Sequence, residues 1–117
     1  MKKKTLCFDL DNVICTTKKN FYKKSKPKKK IINLINELYD KGYIIKILTA
    51  RYSGRFNDDF SKVKNKGFEH TFNQLNNWGV KFHKLYMTKP SFDFYVDDKS
   101  YAFNKDWSNY VKKKFLK

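Results

Sequence analysis

Residues 8 to 12, FDLDN, put two aspartates one residue apart at the end of an apolar run formed by Leu6, Cys7, Phe8 and Leu10 and continued by Val13 and Ile14. Carboxylates this close repel unless positive charge lies beside them. A second acidic pair, Asp97 and Asp98, ends the aromatic stretch FDFYVDD. Thr49 closes the apolar run YIIKILTA, and Lys89 follows KLYM. Hard oxygen donors from the two pairs suit Mg²⁺, which takes one or two protein carboxylates and keeps water and phosphate as its remaining ligands. Carboxylates beside a threonine and a lysine also suit phosphoryl transfer. The metal and lysine neutralise phosphate oxygens, a carboxylate attacks phosphorus, and the hydroxyl hydrogen-bonds the phosphoryl group.

These groups lie far apart in the chain, so the fold must gather them. Thr5 to Asp9 reads as a short buried strand. Ile31, Leu34, Ile35 and Leu38 have the i, i+3, i+4, i+7 spacing of an amphipathic helix, opened by Pro27 and ending near Gly42. Residues 43–50 predict a second strand. Residues 53–67 are polar and glycine-punctuated, with room for a short helix. Phe68, Phe72, Leu75 and Trp78 predict a helical face stopped by Gly79. Residues 84–87 predict a third strand, 92–98 a fourth, and 104–115 a terminal helix. Alternating strands and helices imply right-handed βαβ crossovers and a parallel sheet covered on both faces. Ligands bind such sheets beyond the carboxyl ends of the strands. Asp9, Asp11, Thr49, Lys89, Asp97 and Asp98 all fall at that rim.

At 117 residues the chain is expected to form one domain, 1–117, with 11 Phe and 8 Tyr to fill a core. No run of about 20 apolar residues suggests a membrane span. MKKKTLCF imitates a signal peptide, but Asp9 and Asp11 interrupt its apolar stretch. Cys7 and Cys15 lack zinc-site spacing and read as reduced thiols of a cytoplasmic protein, with Cys7 in strand core. His70 and His83 read as structural. The net charge of +16 comes almost wholly from lysine spread along the chain; Arg51 and Arg55 are the only arginines. With Asn, Ile, Phe and Tyr also abundant, this reads as AT-rich codon usage and a solvated lysine surface. An anionic partner such as nucleic acid is the second reading.

The motifs together resemble the haloacid dehalogenase (HAD) superfamily of phosphatases. DLDNV is similar to its first motif, DxDx(T/V), ILTAR to the second, TKP to the third and YVDDK to the fourth, in the same order. CFDLDNVICTT, QLNNWGVKFHKL and VDDK with Trp107 beyond it resemble the small capless members found with capsule and surface-polysaccharide genes. Two departures are Thr88 before the lysine, where glycine is common, and the loop YSGRFNDDF, which shapes the substrate pocket in such proteins.

The resemblance implies a three-layer Rossmann-like α/β sandwich with a mostly parallel sheet and no cap domain, the loop from Asn12 to Lys26 serving as a small flap. It implies a Mg²⁺-dependent phosphomonoesterase acting on a small sugar or polyol phosphate. Asp9 would be the nucleophile, and Asp11 would protonate the leaving oxygen and then activate water. Asp9 and the Asp11 carbonyl would hold the metal, completed by Asp98, with Asp97 orienting Lys89 or a metal-bound water. Thr49 would bind phosphate. Arg51 and Asn12 are candidate substrate contacts. The alternatives are a polynucleotide 3′-phosphatase and a basic nucleic-acid-binding module with an inactive site. An oligomer is compatible with either, because an uncapped site excludes water only when substrate or another subunit covers it.

Overall fold

A computed structural model describes residues 4–116. Strand β1 (Thr5–Asp9) leads into a small hairpin of β2 (Cys15–Thr16) and β3 (Lys26–Pro27), with a 3-10 turn at Tyr22–Lys24 between them. Helix α1 (Lys29–Asp40), β4 (Ile44–Leu48), α2 (Phe60–Asn77), β5 (Lys84–Tyr86) and α3 (Trp107–Phe115) follow. The main sheet is parallel in the order β1-β4-β5, so α1 and α2 are the crossovers of two successive βαβ units. This is a small α/β fold. Among the described residues no helix is long and apolar enough to cross a membrane.

Register explains which side chains are buried. Leu6 lies opposite Ile45, and Phe8 opposite Ile47. On this face Phe8, Ile45 and Ile47 are buried with the inner face of α1 (Ile31, Leu34, Ile35 and Leu38) and with Trp107 of α3. Ile32 is buried as well, which widens the apolar stripe of α1 beyond the expected spacing. The other face is only partly covered. Cys7 is exposed, Lys46 half-buried, and Lys84 and Tyr86 exposed. Two expectations are thereby corrected: the described sheet is well covered on one face rather than both, and Cys7 is not core. Period-two alternation puts Cys7 opposite Lys46, on the face away from Phe8.

The expected fourth strand at 92–98 is also corrected, because this segment is irregular. Local contacts hold it instead. Phe92 stacks on Tyr95 with centroids 5.0 Å apart, the Tyr95 hydroxyl donates to Asp97 (2.8 Å), and Asp97 accepts the Lys99 N–H (2.8 Å). Aspartates that cap nearby backbone in this way compete with a sheet ladder. Phe94 and Val96 consequently lie exposed.

Helix α2 begins earlier than its aromatic face suggests, because Asp59 caps it by accepting the Lys62 N–H. Its buried stripe is Val63, Gly67, Thr71 and Leu75, whereas Phe68 and Trp78 are half-buried and Phe72 is exposed. Gly67 sits inside the helix because the Tyr52 ring occupies the space where a side chain would go: an added Cβ would lie 2.4 Å from that ring. Gly67→Ala should therefore lower stability in urea unfolding by about 1 kcal/mol. Overpacking of about 1–3 kcal/mol outweighs the roughly 1 kcal/mol gained in helix propensity. A more stable variant would show that Tyr52 does not pack there.

Candidate active site

The carboxyl ends of the parallel strands gather Asp9, Thr49 and Lys89, as expected. The two aspartates of FDLDN then part company. Directly after β1 the chain turns: Val13 and Ile14 both donate to the Leu10 carbonyl, and Asn12 adopts a left-handed φ of 66°. Asparagine tolerates that conformation better than most residues. Asp9 and Asp11 thus meet different cations.

Asp9 stays at the open rim with its side chain 40% exposed. Its Oδ2 lies 3.2 Å from Lys89 Nζ, and its Oδ1 accepts the Leu10 N–H. Lys89 arrives from the loop after β5, and its main chain is held there. Its N–H reaches the Thr49 carbonyl, and its carbonyl accepts from Ser53 Oγ at 2.8 Å. Asp58 steadies the next turn by accepting the Ser91 N–H. The loop YSGRFNDDF therefore anchors the lysine loop, a role the sequence did not disclose. The Lys89 ammonium also lies 5.4 Å from the Phe92 ring centre and 5.8 Å from that of Tyr95, a cation–π environment.

Asp11 turns inward to Arg51. The guanidinium Nε reaches both carboxylate oxygens (3.1 and 3.0 Å), and Nη2 reaches Oδ1 at 2.9 Å. Thr17 Oγ1 adds a 2.6 Å bond to the same Oδ1. The Arg51 side chain has no solvent exposure, which corrects its assignment as a substrate contact: it lies beneath the flap. Asn12, by contrast, is exposed; its Oδ1 accepts the Thr17 N–H (3.2 Å) and its carbonyl accepts from Lys28 Nζ.

Thr49 is almost wholly buried, and its hydroxyl oxygen accepts the Arg51 N–H at 3.1 Å. Its own hydrogen remains available to donate. Cys15 is fully buried beside Asp11; burial pushes its thiol up, so it is a neutral, weak donor at physiological pH. His83 has a structural task, accepting the Ile45 N–H through Nδ1. His70, near Arg51, is held below its usual range first by burial and then by the positive charges of Arg51 and Lys23.

Asp97 and Asp98 are exposed and belong to the irregular 92–98 segment. The Lys99 N–H, and then the Tyr95 hydroxyl, hold the Asp97 carboxyl below the usual carboxylate range. Among the described residues, no three His, Cys, Asp or Glu side chains are grouped so that they could hold a metal ion. The Asp9 carboxylate and the Asp11 carbonyl are suitable hard donors for Mg²⁺. The expected third donor, Asp98 or Asp97, is not gathered with them, so the fit to a divalent cation is partial.

Neither a protein-family model nor a curated protein matches the chain. Two chains of solved structures do. One is the crystal structure of an MCSG target from Vibrio cholerae, with a TM-score of 0.78 and 22% identity, over 95% of this chain and 98% of that one. At that identity the likeness establishes shared architecture: a small α/β fold spanning nearly the whole of both chains.

The two kinds of ion pair in the protein should differ sharply in mutational cost. Asp11→Ala leaves the Arg51 charge buried and unpaired, and should cost about 3 kcal/mol. Asp40→Ala breaks an exposed pair with Lys81 (2.8 Å, side chains about half exposed) and should cost under about 1 kcal/mol. Equal losses in urea unfolding would contradict the buried pair.

Proposed function

We propose that the protein is a HAD-like, capless phosphomonoesterase that uses Mg²⁺ and forms an aspartyl-phosphate on Asp9. Its proposed substrate is a small sugar or polyol phosphate of surface-polysaccharide biosynthesis. The supporting observation is the half-exposed Asp9 carboxylate, paired with Lys89 beside Thr49 at the rim of a parallel sheet. The four motifs resembling the superfamily, and the finer resemblance to its polysaccharide-linked members, supply the reaction and the substrate class.

In this reading the substrate phosphate draws the Lys89 ammonium from Asp9 onto its own oxygens. That frees the Asp9 carboxylate to attack phosphorus as the ester bond breaks. Thr49 donates its hydroxyl hydrogen to a phosphoryl oxygen. In the role the resemblance implies, Asp11 would enter the step carrying a proton on Oδ2, which requires that oxygen to part from Arg51. It would give the proton to the departing alkoxide and regain one from the water that hydrolyses the aspartyl-phosphate. Its Oδ2, which receives only the Arg51 Nε hydrogen among the described contacts, is the oxygen suited to that exchange; Oδ1 is committed to Arg51 and Thr17. When bound, Mg²⁺ would add positive charge against the phosphoryl oxygens, held by the Asp9 carboxylate and the Asp11 carbonyl.

The polynucleotide 3′-phosphatase reading is favoured by one feature. Eight lysines crowd residues 18–30, beside the rim, and no acidic residue occurs between Asp11 and Glu37. A hydrolysis screen over sugar phosphates, polyol phosphates, nucleotides and 3′-phosphorylated oligonucleotides separates the two. Turnover of a small phosphomonoester that persists at physiological salt is expected. Submicromolar oligonucleotide binding under those conditions, with preferential release of a terminal phosphate and a steep salt slope, would favour the polynucleotide reading. Asp9→Asn should fold and lose activity by about 10³-fold or more. Turnover within tenfold of wild type would remove Asp9 from the mechanism.

Chelation should stop turnover and added Mg²⁺ should restore it. Undiminished turnover in chelator would eliminate the metal from the proposal.

A further inference from the structure

We infer that Arg51 is a positioning residue that locks the flap and the Asp11 carboxylate into a single unit. The inference begins with donor accounting. A guanidinium has five N–H donors in a rigid plane. Nε and Nη2 engage Asp11. Nη2 also reaches Ser25 Oγ (3.3 Å) on the flap, and Nη1 reaches Gln74 Oε1 (2.8 Å) and Thr71 Oγ1 (3.4 Å) on α2. The guanidinium carbon lies over the ring of the flap residue Tyr22, 4.9 Å from its centre. Three chain segments, the turn after β1, the flap and α2, therefore converge on one buried cation.

Besides this cation, the flap is held by the buried side chains of Ile14 and Cys15, by the Thr17 N–H to Asn12 Oδ1, and by the Tyr22 ring edge-on to Tyr52 (4.9 Å). Its hairpin is two residues per strand, too short to be stable by itself. Phe21, near its tip, is exposed. Its other side-chain polar contacts lead back to the same cluster. Thr17 donates to Asp11, Ser25 and Thr17 hydroxyls lie 2.6 Å apart, and Gln74 Nε2 donates to the Tyr22 carbonyl at 2.8 Å. Since the Thr17 hydrogen goes to Asp11, Ser25 supplies the hydrogen between the two hydroxyls. The result is a closed ring of donors and acceptors from Arg51 through Ser25 and Thr17 to Asp11. Lysine cannot replace Arg51, because an ammonium is a point charge with three donors and cannot span Asp11, Gln74 and the Tyr22 ring together. A change at Asp11 is thus transmitted to the flap, and displacement of the flap is transmitted to Asp11.

The consequence for turnover rests on the proposed phosphatase reading, in which Arg51 acts through Asp11 and never touches substrate. The structural claim does not need turnover. Amide hydrogen exchange of flap residues 12–26 would be followed beside that of 44–48 in β4, in wild type, Asp11→Asn, Arg51→Lys and Arg51→Met. Flap exchange should rise by about tenfold or more in the Asn and Lys variants, while β4, which opens only with global unfolding, loses no more protection than the fall in stability measured by urea unfolding accounts for. The Asp11→Asn/Arg51→Met double variant should exchange in the flap no faster than the worse single variant, since both changes break one unit. Should Arg51→Met fail to fold, Asp11→Asn, Arg51→Lys and their double variant carry the test.

Wild-type flap exchange in Asp11→Asn and Arg51→Lys would overturn the inference. So would β4 exchange rising while flap exchange stays at the wild-type rate, which would make Arg51 a general stabiliser of the core. A wild-type protein inactive on every phosphomonoester would sink the phosphatase reading while leaving the exchange result intact.

Discussion

The buried pair of Arg51 and Asp11 is the interaction on which the arrangement of the rim depends. A guanidinium with no solvent exposure carries a desolvation cost of several kcal/mol, which is offset only when geometry is good and its remaining donors are satisfied. Here the carboxylate meets it through two nitrogens, and Thr71, Gln74, Ser25 and the Tyr22 ring take what remains. None of these partners belongs to the β1–β4 ladder itself. They come from α2 and the flap, so one side chain at the end of β4 determines where both lie relative to the strand ends.

That constraint also divides the labour between the two aspartates. In an uninterrupted strand, residues two apart share a face. The turn at Leu10–Asn12 breaks that relation and gives each carboxylate a protein cation of its own. Asp11 is held from within by a charge that cannot leave. Asp9 is held at the surface by Lys89, a flexible ammonium on a loop that Ser53 and Asp58 anchor by main-chain contacts. In the proposed phosphatase, a pair of which one member is fixed and the other is released by an incoming phosphate would be the starting state for nucleophilic attack. It differs from the two-carboxylate cation site suggested by the spacing alone.

Much of the fold was legible because it rests on apolar runs. The strands at 5–9 and 44–48 and the helical face of Ile31, Leu34, Ile35 and Leu38 needed no tertiary information. The failures arise where polar groups decide. Residues 92–98 alternate like a strand, but Asp97 and Tyr95 satisfy local groups first. The start of α2 rests on the Asp59 cap, which lies in a polar stretch with no apolar period. Arg51 reads as a substrate contact because it lies just beyond the phosphate-binding Thr49 of the resemblance, and full burial of an arginine is rare enough that the sequence does not suggest it. A signal was present: Gly67, Thr71 and Gln74 put a glycine and two polar side chains at helical spacing along α2, where a purely apolar stripe would be expected. In physical terms, burial of a charge depends on partners distant in sequence, and local patterning does not report it.

The central claim is that Asp9 becomes covalently phosphorylated during turnover. It is tested most directly by acid quench of a reaction at saturating phosphomonoester, followed by borohydride reduction and peptide mass spectrometry. An acyl phosphate is reduced under these conditions, whereas a free carboxylate is not. Homoserine is expected at position 9, and none at positions 11, 97 or 98. Active enzyme that leaves Asp9 unreduced at every quench time, or that carries the reduced residue at another position, would contradict it.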